Sequence, residues 1–342
     1  MNYRVLGRTG LKVSELCLGT MTFGENYYGI AVVDQPSANA MVARALEAGI
    51  NFFDTADVYS YGQSEIVLGQ ALKDCAVERD QVIVATKVRS AMTEAATADT
   101  GDVNNAGLSR QHILAGVEKS LKRLGTDYID LYQVHGWDIL TPIDETLRAL
   151  DDLVRQGKVR YIGCSNWPAR QLMKAVCLSR ANHWAEFVSL QAYYSLVGRD
   201  LEHELLPLCR EEGLGLLTWS PLSGGFLSGK YRRDNPNPEG ARRSGFQFPP
   251  IDEARGFDAV ETLDRIAKEK NVPLAQVALA WLLAQPGVTS IIIGANKMSQ
   301  LDDNLKAADL HLTPAEIEVL SATTAPAPQY PQWMIELQNE GR

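Results

Sequence analysis

Cysteine and histidine are scarce in this chain, and neither is spaced as in a disulfide framework or a metal site. The 342 residues include five cysteines, an odd number with no Cys-x-x-Cys pair, and five histidines with no His-x-x-x-His pair. Disulfide-rich folds and zinc sites usually show such spacings. We therefore expect no bound metal, and we expect cysteines that serve as small core residues in a reducing compartment.

Also absent are a long apolar run and an excess of positive charge. No apolar stretch approaches the roughly 20 residues that span a bilayer, and the first seven residues lack the basic and apolar regions of a secretory signal. The formal net charge of −9 opposes binding to the phosphates of nucleic acid. The sequence thus predicts a cytoplasmic protein with no membrane role and no nucleic-acid partner.

Short β-branched runs alternate with longer amphipathic stretches along most of the chain, a pattern typical of βα units and a parallel sheet. Strands are predicted near residues 16–18, 50–53, 82–86, 129–134, 159–162, 188–191, 215–219 and 290–293. Helices are predicted between them at 38–48, 110–124, 142–155, 201–212 and 273–284. Glycines stand at or just past the ends of the first four, where helix C-caps belong: Gly49, Gly125, Gly157 and Gly213.

The fold class that this pattern predicts is α/β, a single-domain (β/α)8 TIM barrel over residues 15–324. A barrel commonly takes roughly 250 residues before insertions, and the Gly-x-Gly-x-x-Gly of a doubly wound nucleotide-binding sheet is missing after the first run. Residues 1–14 predict an N-terminal β-hairpin, with strands at 3–5 and 11–13, at the bottom of the barrel. Residues 91–108 and 232–250 are predicted as long loops at the mouth, and the C-terminal tail, 325–342, is predicted to fold over that mouth.

Four ionisable side chains close or follow the second, third and fourth predicted strands: Asp54, Tyr59, Lys87 and His135. Successive strand ends of a parallel barrel meet at one mouth, so we expect the four to converge. A lysine after a buried strand is costly unless it is paired, and Asp54 is the natural partner of Lys87. A phenol beside this cation would have a pKa lowered from about 10, which suits proton donation in carbonyl chemistry.

The segment from Asp54 to Glu65, DTADVYSYGQSE, resembles the signature of the aldo-keto reductase superfamily. So do the segments 18–21, 163–166, 220–222, 228–231 and 293–294, with Gln300 and Asn304, in the family's order. The Ser-Pro-Leu and Ser-Gly-Lys-Tyr elements are most similar to the branch of bacterial reductases and potassium-channel β subunits. The resemblance implies reversible reduction of an aldehyde or ketone by NADP(H), possibly NAD(H), with Tyr59 as the acid, Lys87 and Asp54 as its modulators and His135 orienting the carbonyl.

The resemblance also implies the residues that hold the cofactor. Ser165, Asn166 and Gln191 would bind the nicotinamide carboxamide, with Tyr193, Tyr194 or Trp219 stacking on the ring. Asn296, Lys297 or Gln300 would recognise the 2′-phosphate, which favours NADPH over NADH. The full predicted cofactor set is Gly19, Thr20, Met21, Asp54, Ser165, Asn166, Gln191, Trp219, Ser220, Pro221, Leu222, Gly224, Lys230, Arg242, Gly294, Asn296, Lys297, Gln300 and Asn304.

Aromatic residues near the strand ends predict the walls of a substrate pocket: Phe23, Tyr28, Trp137, Trp167 and Trp333. A small carbonyl or alcohol is the expected partner, and a homo-oligomer is possible. Two other interpretations compete with a reductase. The Gly-x-x-x-x-Gly-Lys of residues 224–230 fits half of a nucleotide-binding loop, but Tyr231 replaces the magnesium-binding Ser or Thr, which argues against an NTPase. A cofactor-binding redox-sensing or regulatory subunit with little turnover is the open alternative.

Overall fold

A computed structural model describes residues 1–25, 27–30, 32–98 and 100–341. Among these residues the strands are β1 (Tyr3–Val5), β2 (Lys12–Ser14), β3 (Leu16–Gly19), β4 (Phe52–Asp54), β5 (Ile83–Val88), β6 (Ile129–Val134), β7 (Val159–Ser165), β8 (Phe187–Tyr193), β9 (Gly215–Trp219) and β10 (Val288–Ile293). Each of the eight predicted barrel strands overlaps an observed strand, from β3 to β10.

The α-helices of the described residues are α1 (Gln35–Glu47), α2 (Gln63–Asp74), α3 (Glu94–Thr97), α4 (Arg110–Leu124), α5 (Ile143–Arg155), α6 (Ala169–Asn182), α7 (Leu205–Glu212), α8 (Glu253–Lys270), α9 (Leu274–Leu283), α10 (Met298–Leu305), α11 (Pro314–Thr323) and α12 (Gln332–Asn339). Helix α4 shows why sequence locates some ends well. The Ser109 side chain accepts a hydrogen bond from the His112 amide at its start, and Gly125 ends it in the left-handed conformation at φ +65°.

The eight strands β3 to β10 close into a parallel barrel in the order β10-β3-β4-β5-β6-β7-β8-β9, which confirms the predicted (β/α)8 fold. Strand β5 is buried along its whole length, as expected of a parallel strand covered on both faces. The register pairs Gly19 with Asp54 and Asp54 with Ala85, so the carboxyl ends of β3, β4 and β5 form one rim. Active sites of such barrels lie at this rim.

The predicted N-terminal hairpin is also confirmed, since β1 pairs antiparallel with β2. It covers the amino-terminal end of the barrel. Arg4 donates through Nη1 to the carbonyl of Val288, the first residue of β10, at 2.6 Å, and Leu6 is fully buried. The hairpin therefore closes the end of the barrel opposite the strand exits.

The two predicted loops and the tail contain short helices that their composition did not predict. Helix α3 lies within the segment 91–108, where the Thr93 side chain caps it by accepting a hydrogen bond from the Ala96 amide. The segment 232–250 contains a single helical turn at Arg242–Ser244, and the tail forms α12. Within the described part of the chain, no helix is long and apolar enough to cross a membrane, and no group of His, Cys, Asp or Glu is arranged to hold a metal ion.

Candidate active site

Lys87 lies at the centre of a buried cluster at the carboxyl ends of β4 and β5. Its Nζ donates to Asp54 Oδ2 at 2.5 Å, to the Thr55 carbonyl at 2.8 Å and to the Tyr59 hydroxyl oxygen at 3.3 Å. The Lys87 side chain is fully buried and that of Asp54 is 3 % exposed. A buried ammonium with three acceptors is satisfied, and one of these acceptors is the predicted acid.

Asp54 receives two further hydrogen bonds, both from side-chain amides. Its Oδ1 accepts from Gln133 Nε2 at 3.1 Å and from Gln191 Nε2 at 2.9 Å. Gln191 was predicted to bind the nicotinamide carboxamide, but in the structure its amide nitrogen holds the Asp54 carboxylate. Gln133 was not predicted at all. The two amides fix the carboxylate on the side away from Lys87.

A short turn between β4 and α2 carries Tyr59 over the cluster. Ser60 and Tyr61 both adopt left-handed backbone conformations, with φ of +48° and +52°, which reverses the chain directly after Tyr59. Ser64 ties the turn to the first strand exit, because its hydroxyl donates to the Thr20 carbonyl at 2.7 Å. Thr20, predicted to bind cofactor, is buried, and its hydroxyl lies 2.8 Å from Ser64 Oγ.

Burial and neighbouring charges shift the pKa values of Lys87 and Tyr59 in opposite directions. Burial lowers the pKa of the Lys87 ammonium, but Asp54 and Tyr59 outweigh it, so that this pKa lies above its ordinary value. Burial raises the pKa of the Tyr59 phenol above 10, and Lys87 offsets only part of that rise. The lowered phenol pKa expected from the sequence is therefore not found, because the sequence shows the cation but not the depth of burial. Lys87 is charged and Tyr59 is protonated at neutral pH.

His135 faces Tyr59 from the end of β6. The two rings meet edge to face with their centroids 5.7 Å apart, and the His135 Nδ1 has no hydrogen-bond partner in the described part of the chain. Burial, together with the positive charges of Lys87 and Arg89, holds the pKa of His135 well below 6.5. The imidazole is thus neutral at pH 7 and can donate one N–H to a carbonyl oxygen. The structure brings all four predicted catalytic residues together.

Asn166 and Trp219 connect the next strand exits. Asn166, at φ +55°, donates through Nδ2 to the His135 carbonyl at 3.1 Å and to Ser165 Oγ at 3.0 Å. Its Oδ1 accepts a hydrogen bond from Trp219 Nε1 at 3.1 Å. These contacts join β6, β7 and β9, so Ser165, Asn166 and Trp219 form one side of the site.

Two aromatic side chains, Tyr193 and Phe248, pack against the ring of Trp219. Tyr193 lies with its ring centroid 5.1 Å away, and Phe248 stacks on Trp219 at 5.6 Å with an interplanar angle of 8°. The Tyr193 hydroxyl is 3.0 Å from Ser223 Oγ, next to the predicted pyrophosphate segment. Phe248 lies in the loop 232–250 and was not predicted, because composition alone does not show which loop residue returns to the barrel.

The loop after β9 carries one buried arginine, Arg243, and one half-buried arginine, Arg242. Arg243 donates through Nη1 to the carbonyls of Ser223 and Pro249 at 3.3 and 2.7 Å, which fixes the loop. Arg242 is different: its Nε is buried and has no partner among the described residues. Gly224 adopts the left-handed conformation, at φ +67°. A Cβ there would lie 2.6 Å from the Phe248 carbonyl oxygen, so the glycine admits protein backbone at that point.

The remaining predicted cofactor residues line two neighbouring segments. Lys230, Asn296, Lys297 and Gln300 are exposed, while Pro221 is buried and Leu222 half-buried. Gly294 is exposed, and a Cβ added to it would meet no described atom within 4 Å. Gln300 Oε1 accepts from the Asn296 amide at 2.9 Å, and Asn304 Nδ2 donates to the Gly294 carbonyl at 3.2 Å. A polar, open surface therefore follows β10, beside the loop that carries Arg242.

Only part of the predicted substrate wall lies at the site. Trp137 is half-buried beside His135, and Tyr28 is 66 % exposed and stacks on Phe246 at 5.5 Å. Phe23 and Trp167 are instead packed within the hydrophobic core, at 0 % and 2 % exposure. They follow barrel strands, as the sequence shows, but their side chains are buried, and the ring of Trp167 packs against those of Trp137 and Phe187.

Tyr27, another aromatic candidate for the pocket wall, packs against the predicted acid, whereas Trp333 lies on the C-terminal helix α12. The ring of Tyr27 lies 5.9 Å from that of Tyr59, in a small apolar cluster with Met21 and Ala56. Trp333 is 43 % exposed on α12, where it contacts the ring of Tyr330. Its neighbour Gln332 lies 3.4 Å from His203, so the described tail docks beside the segment before α7.

The model of the aldo/keto reductase family matches residues 15–324. The chain belongs to this family. The resemblance seen in the motifs is therefore confirmed, and a family that generally binds NAD(P)H explains why polar side chains follow β7, β9 and β10.

Relatives with this architecture carry enzymatic and non-enzymatic names. The chain is 39 % identical to an uncharacterized oxidoreductase, YrpG, of Bacillus subtilis (strain 168), over 94 % of this chain and 95 % of the relative. It is 34 % identical to a versiconal hemiacetal acetate reductase of Aspergillus parasiticus, over 97 % and 99 % of the two chains. It is also 37 % identical to a probable voltage-gated potassium channel subunit beta of Oryza sativa subsp. japonica, over 96 % and 98 %.

Proposed function

We propose that this protein is an oxidoreductase that uses NADPH to reduce an aldehyde or ketone to the alcohol, reversibly, with Tyr59 as the proton donor. The observation that carries the proposal is the buried contact of Lys87 Nζ with both the Tyr59 hydroxyl, at 3.3 Å, and Asp54 Oδ2, at 2.5 Å. An ammonium that donates to the phenol oxygen stabilises the phenolate formed when the proton leaves.

The residues act on the two ends of the carbonyl group. The chemistry supplied by a bound reduced nicotinamide is hydride donation to the carbonyl carbon. Tyr59 gives its proton to the carbonyl oxygen, and neutral His135 orients that oxygen with an N–H. In the reverse direction the Tyr59 phenolate accepts the proton of the alcohol. The high pKa of the buried phenol keeps the donor protonated before each reduction.

The loop after β9 offers the groups that a dinucleotide needs. Arg242 Nε and Ser228 Oγ are buried without partners in the described residues, which fits a phosphate that would accept hydrogen bonds from them. Lys230 lies two residues after Ser228, and its side chain is exposed. The proposal assigns the 2′-phosphate to Asn296, Lys297 or Gln300, and the preference for NADPH rests on that assignment.

The cofactor assignment is tested with Arg242→Gln. Loss of a charge-assisted hydrogen bond to phosphate weakens binding by about 10- to 100-fold, so the Kd for NADPH should rise by that factor in a fluorescence titration. Arg233→Gln is the matched control, since Arg233 lies in the same loop but is 53 % exposed and paired with Asp258. An unchanged Kd for NADPH in Arg242→Gln would contradict the assignment of Arg242 to a cofactor phosphate. Wild-type protein that binds NADH as tightly as NADPH would contradict the assignment of the 2′-phosphate to Asn296, Lys297 or Gln300.

A regulatory subunit with little turnover is the second candidate, and the relatives named as potassium channel β subunits in Oryza sativa and Arabidopsis thaliana favour it. Such a protein would bind NADPH without sustained oxidation. Multiple-turnover oxidation of NADPH by the purified chain with a panel of aldehydes supports the reductase. Tight binding with at most one turnover per chain supports the subunit.

A further inference from the structure

Arg89 is a cation at the mouth that the proposed chemistry does not use. It directly follows β5, two residues after Lys87, and its φ is +151°, a conformation that L-residues rarely adopt. The Gly107 amide donates to its carbonyl at 2.8 Å, and its own Nε donates to the Trp137 carbonyl at 3.2 Å. Backbone strain that neighbouring groups hold in place is found most often at functional sites.

The guanidinium of Arg89 packs beside the catalytic histidine. A Cβ built on Gly136, the residue after His135, would lie 3.5 Å from Arg89 Nε and 3.8 Å from its Cζ. The charge of Arg89 is also one of the causes of the low His135 pKa. Arg89 therefore lies within reach of a molecule whose carbonyl oxygen is held by His135 and Tyr59.

Arg89 forms no ion pair within 4 Å among the described residues, although many arginines of this chain do, and its charge is one of the causes that lower the pKa of nearby Asp138. Arg79, for example, pairs with Asp130 at 2.6 Å. Asp138 lies in the loop that Arg89 contacts, but its carboxylate oxygens already accept from the Leu108 amide, the Leu140 amide and the Thr141 hydroxyl. Nε alone of the five guanidinium donors has a partner in the described chain, so the two terminal nitrogens are left for a ligand at the mouth.

The cofactor phosphates do not account for this cation. In the closed barrel order, β5 and β9 are separated by the same number of strands in either direction, so Arg89 stands opposite the loop that carries Arg242. Arg242 and Lys230 serve the phosphates from the β9 side in the proposed function. Arg89 lies on the β5 and β6 side, where it contacts the carbonyl of Trp137.

We propose that Arg89 determines substrate specificity by binding an anionic group, a carboxylate or a phosphate, on the aldehyde or ketone. The inference rests on the proposed function, because it names the class of carbonyl compound that the same site reduces. A planar guanidinium with two free terminal nitrogens matches either anion in a two-point contact. Half-burial beside Gly136 removes part of the competing water, which strengthens that contact.

The test compares charged aldehydes with neutral counterparts built on the same benzaldehyde ring. The carboxylate arm measures kcat/KM for 4-carboxybenzaldehyde and for its methyl ester, and the phosphate arm uses 4-formylphenyl phosphate and 4-methoxybenzaldehyde. For the preferred anion, wild type should favour the charged probe over its neutral counterpart. In Arg89→Met the ratio of kcat/KM for the charged probe to kcat/KM for the neutral probe should fall about 10- to 100-fold, mainly through KM. This factor is the usual contribution of a charge-assisted hydrogen bond. Arg89→Lys should keep part of the ratio, because it keeps the charge.

Arg148→Met serves as the matched control, since Arg148 is an exposed cation on the outer helix α5; it should leave the ratio at the wild-type value. An equal loss on charged and neutral probes in Arg89→Met would overturn the inference and indicate a role in positioning the His135 loop. A wild type that prefers the neutral probe in both arms would also overturn it and leave the proposed reductase standing. If wild type oxidises NADPH with none of the four probes nor with the broader aldehyde panel, both proposals fail.

Discussion

At the scale of single residues, the carboxylate of Asp54 organises the site. Lys87 occupies one of its oxygens and the amides of Gln133 and Gln191 occupy the other. The sequence could predict the pair of Asp54 and Lys87, because the two residues close neighbouring strands. It could not predict the two amides, since β6 and β8 reach Asp54 only across the interior of the closed barrel.

Single residues also show that the position of a side chain after a strand is easier to predict than what the side chain contacts. Phe23 and Trp167 were expected in the pocket because each follows a strand, but both are buried in the core. Position along a strand exit can be read from the sequence. The direction of a side chain after the exit depends on loop conformation, as the strained backbone of Arg89 illustrates.

The neutral His135 leads to a pH prediction. Its pKa is well below 6.5 in the folded protein, so below pH 6.5 the unfolded chain binds a proton that the folded site resists. Stability should therefore fall as pH falls through this range, by up to about 1.4 kcal/mol per pH unit from this group. The free energy of unfolding, measured with urea at pH 7.5 and 5.5, should drop less in His135→Asn than in wild type.

His311→Asn is the control for this pH dependence, because His311 is exposed. It should show the same drop between pH 7.5 and 5.5 as wild type. An equal drop in wild type and His135→Asn would mean that His135 is not held neutral by its surroundings.

At the scale of secondary structure, predicted ends were accurate where a local signal marks them. Helix α4 begins after the capping Ser109 and ends before Gly125, as its sequence indicates. The predicted helix at 201–212 is instead a helical turn at Asp200–Glu202 followed by α7. Helices α3 and α12 were missed, because they span only four and eight residues and lie in segments with Gly, Asn and Asp in one case and with Pro in the other.

The N-terminal hairpin gives a prediction at this scale. Leu6 is fully buried in a cluster with Val13 and Cys17 at the closed end of the barrel, so Leu6→Ala should lower the free energy of unfolding by about 2–5 kcal/mol. Because this end is opposite the strand exits, KM for the carbonyl should not change. Urea unfolding and steady-state kinetics measure the two effects.

Val5→Ala is the matched control, since the neighbouring Val5 is 48 % exposed; its unfolding free energy should stay within about 0.5 kcal/mol of wild type. A clear change in the KM for the carbonyl in Leu6→Ala would contradict the separation between the closed end of the barrel and the strand exits.

At the scale of the whole molecule, the groups of the candidate site lie on two different sides of the barrel rim. The proposed phosphate contacts follow β9 and β10, and the acid, the cation and the imidazole follow β4, β5 and β6. Trp219 and Asn166 lie between them and connect the two through the His135 carbonyl. The convergence of Asp54, Tyr59, Lys87 and His135 follows from the strand order, which is why the βα pattern of the sequence was enough to predict that these side chains meet at one rim.

The most direct test of the whole account is Tyr59→Phe, which removes one hydroxyl and leaves the ring in place. NADPH affinity, measured by fluorescence titration, should stay within about threefold of wild type, while kcat with an accepted aldehyde should fall about 10²- to 10⁴-fold, the usual contribution of a general acid. Tyr61→Phe, at a site 58 % exposed, is the control and should keep wild-type turnover. Turnover by Tyr59→Phe comparable to wild type would contradict the central claim that this phenol supplies the proton.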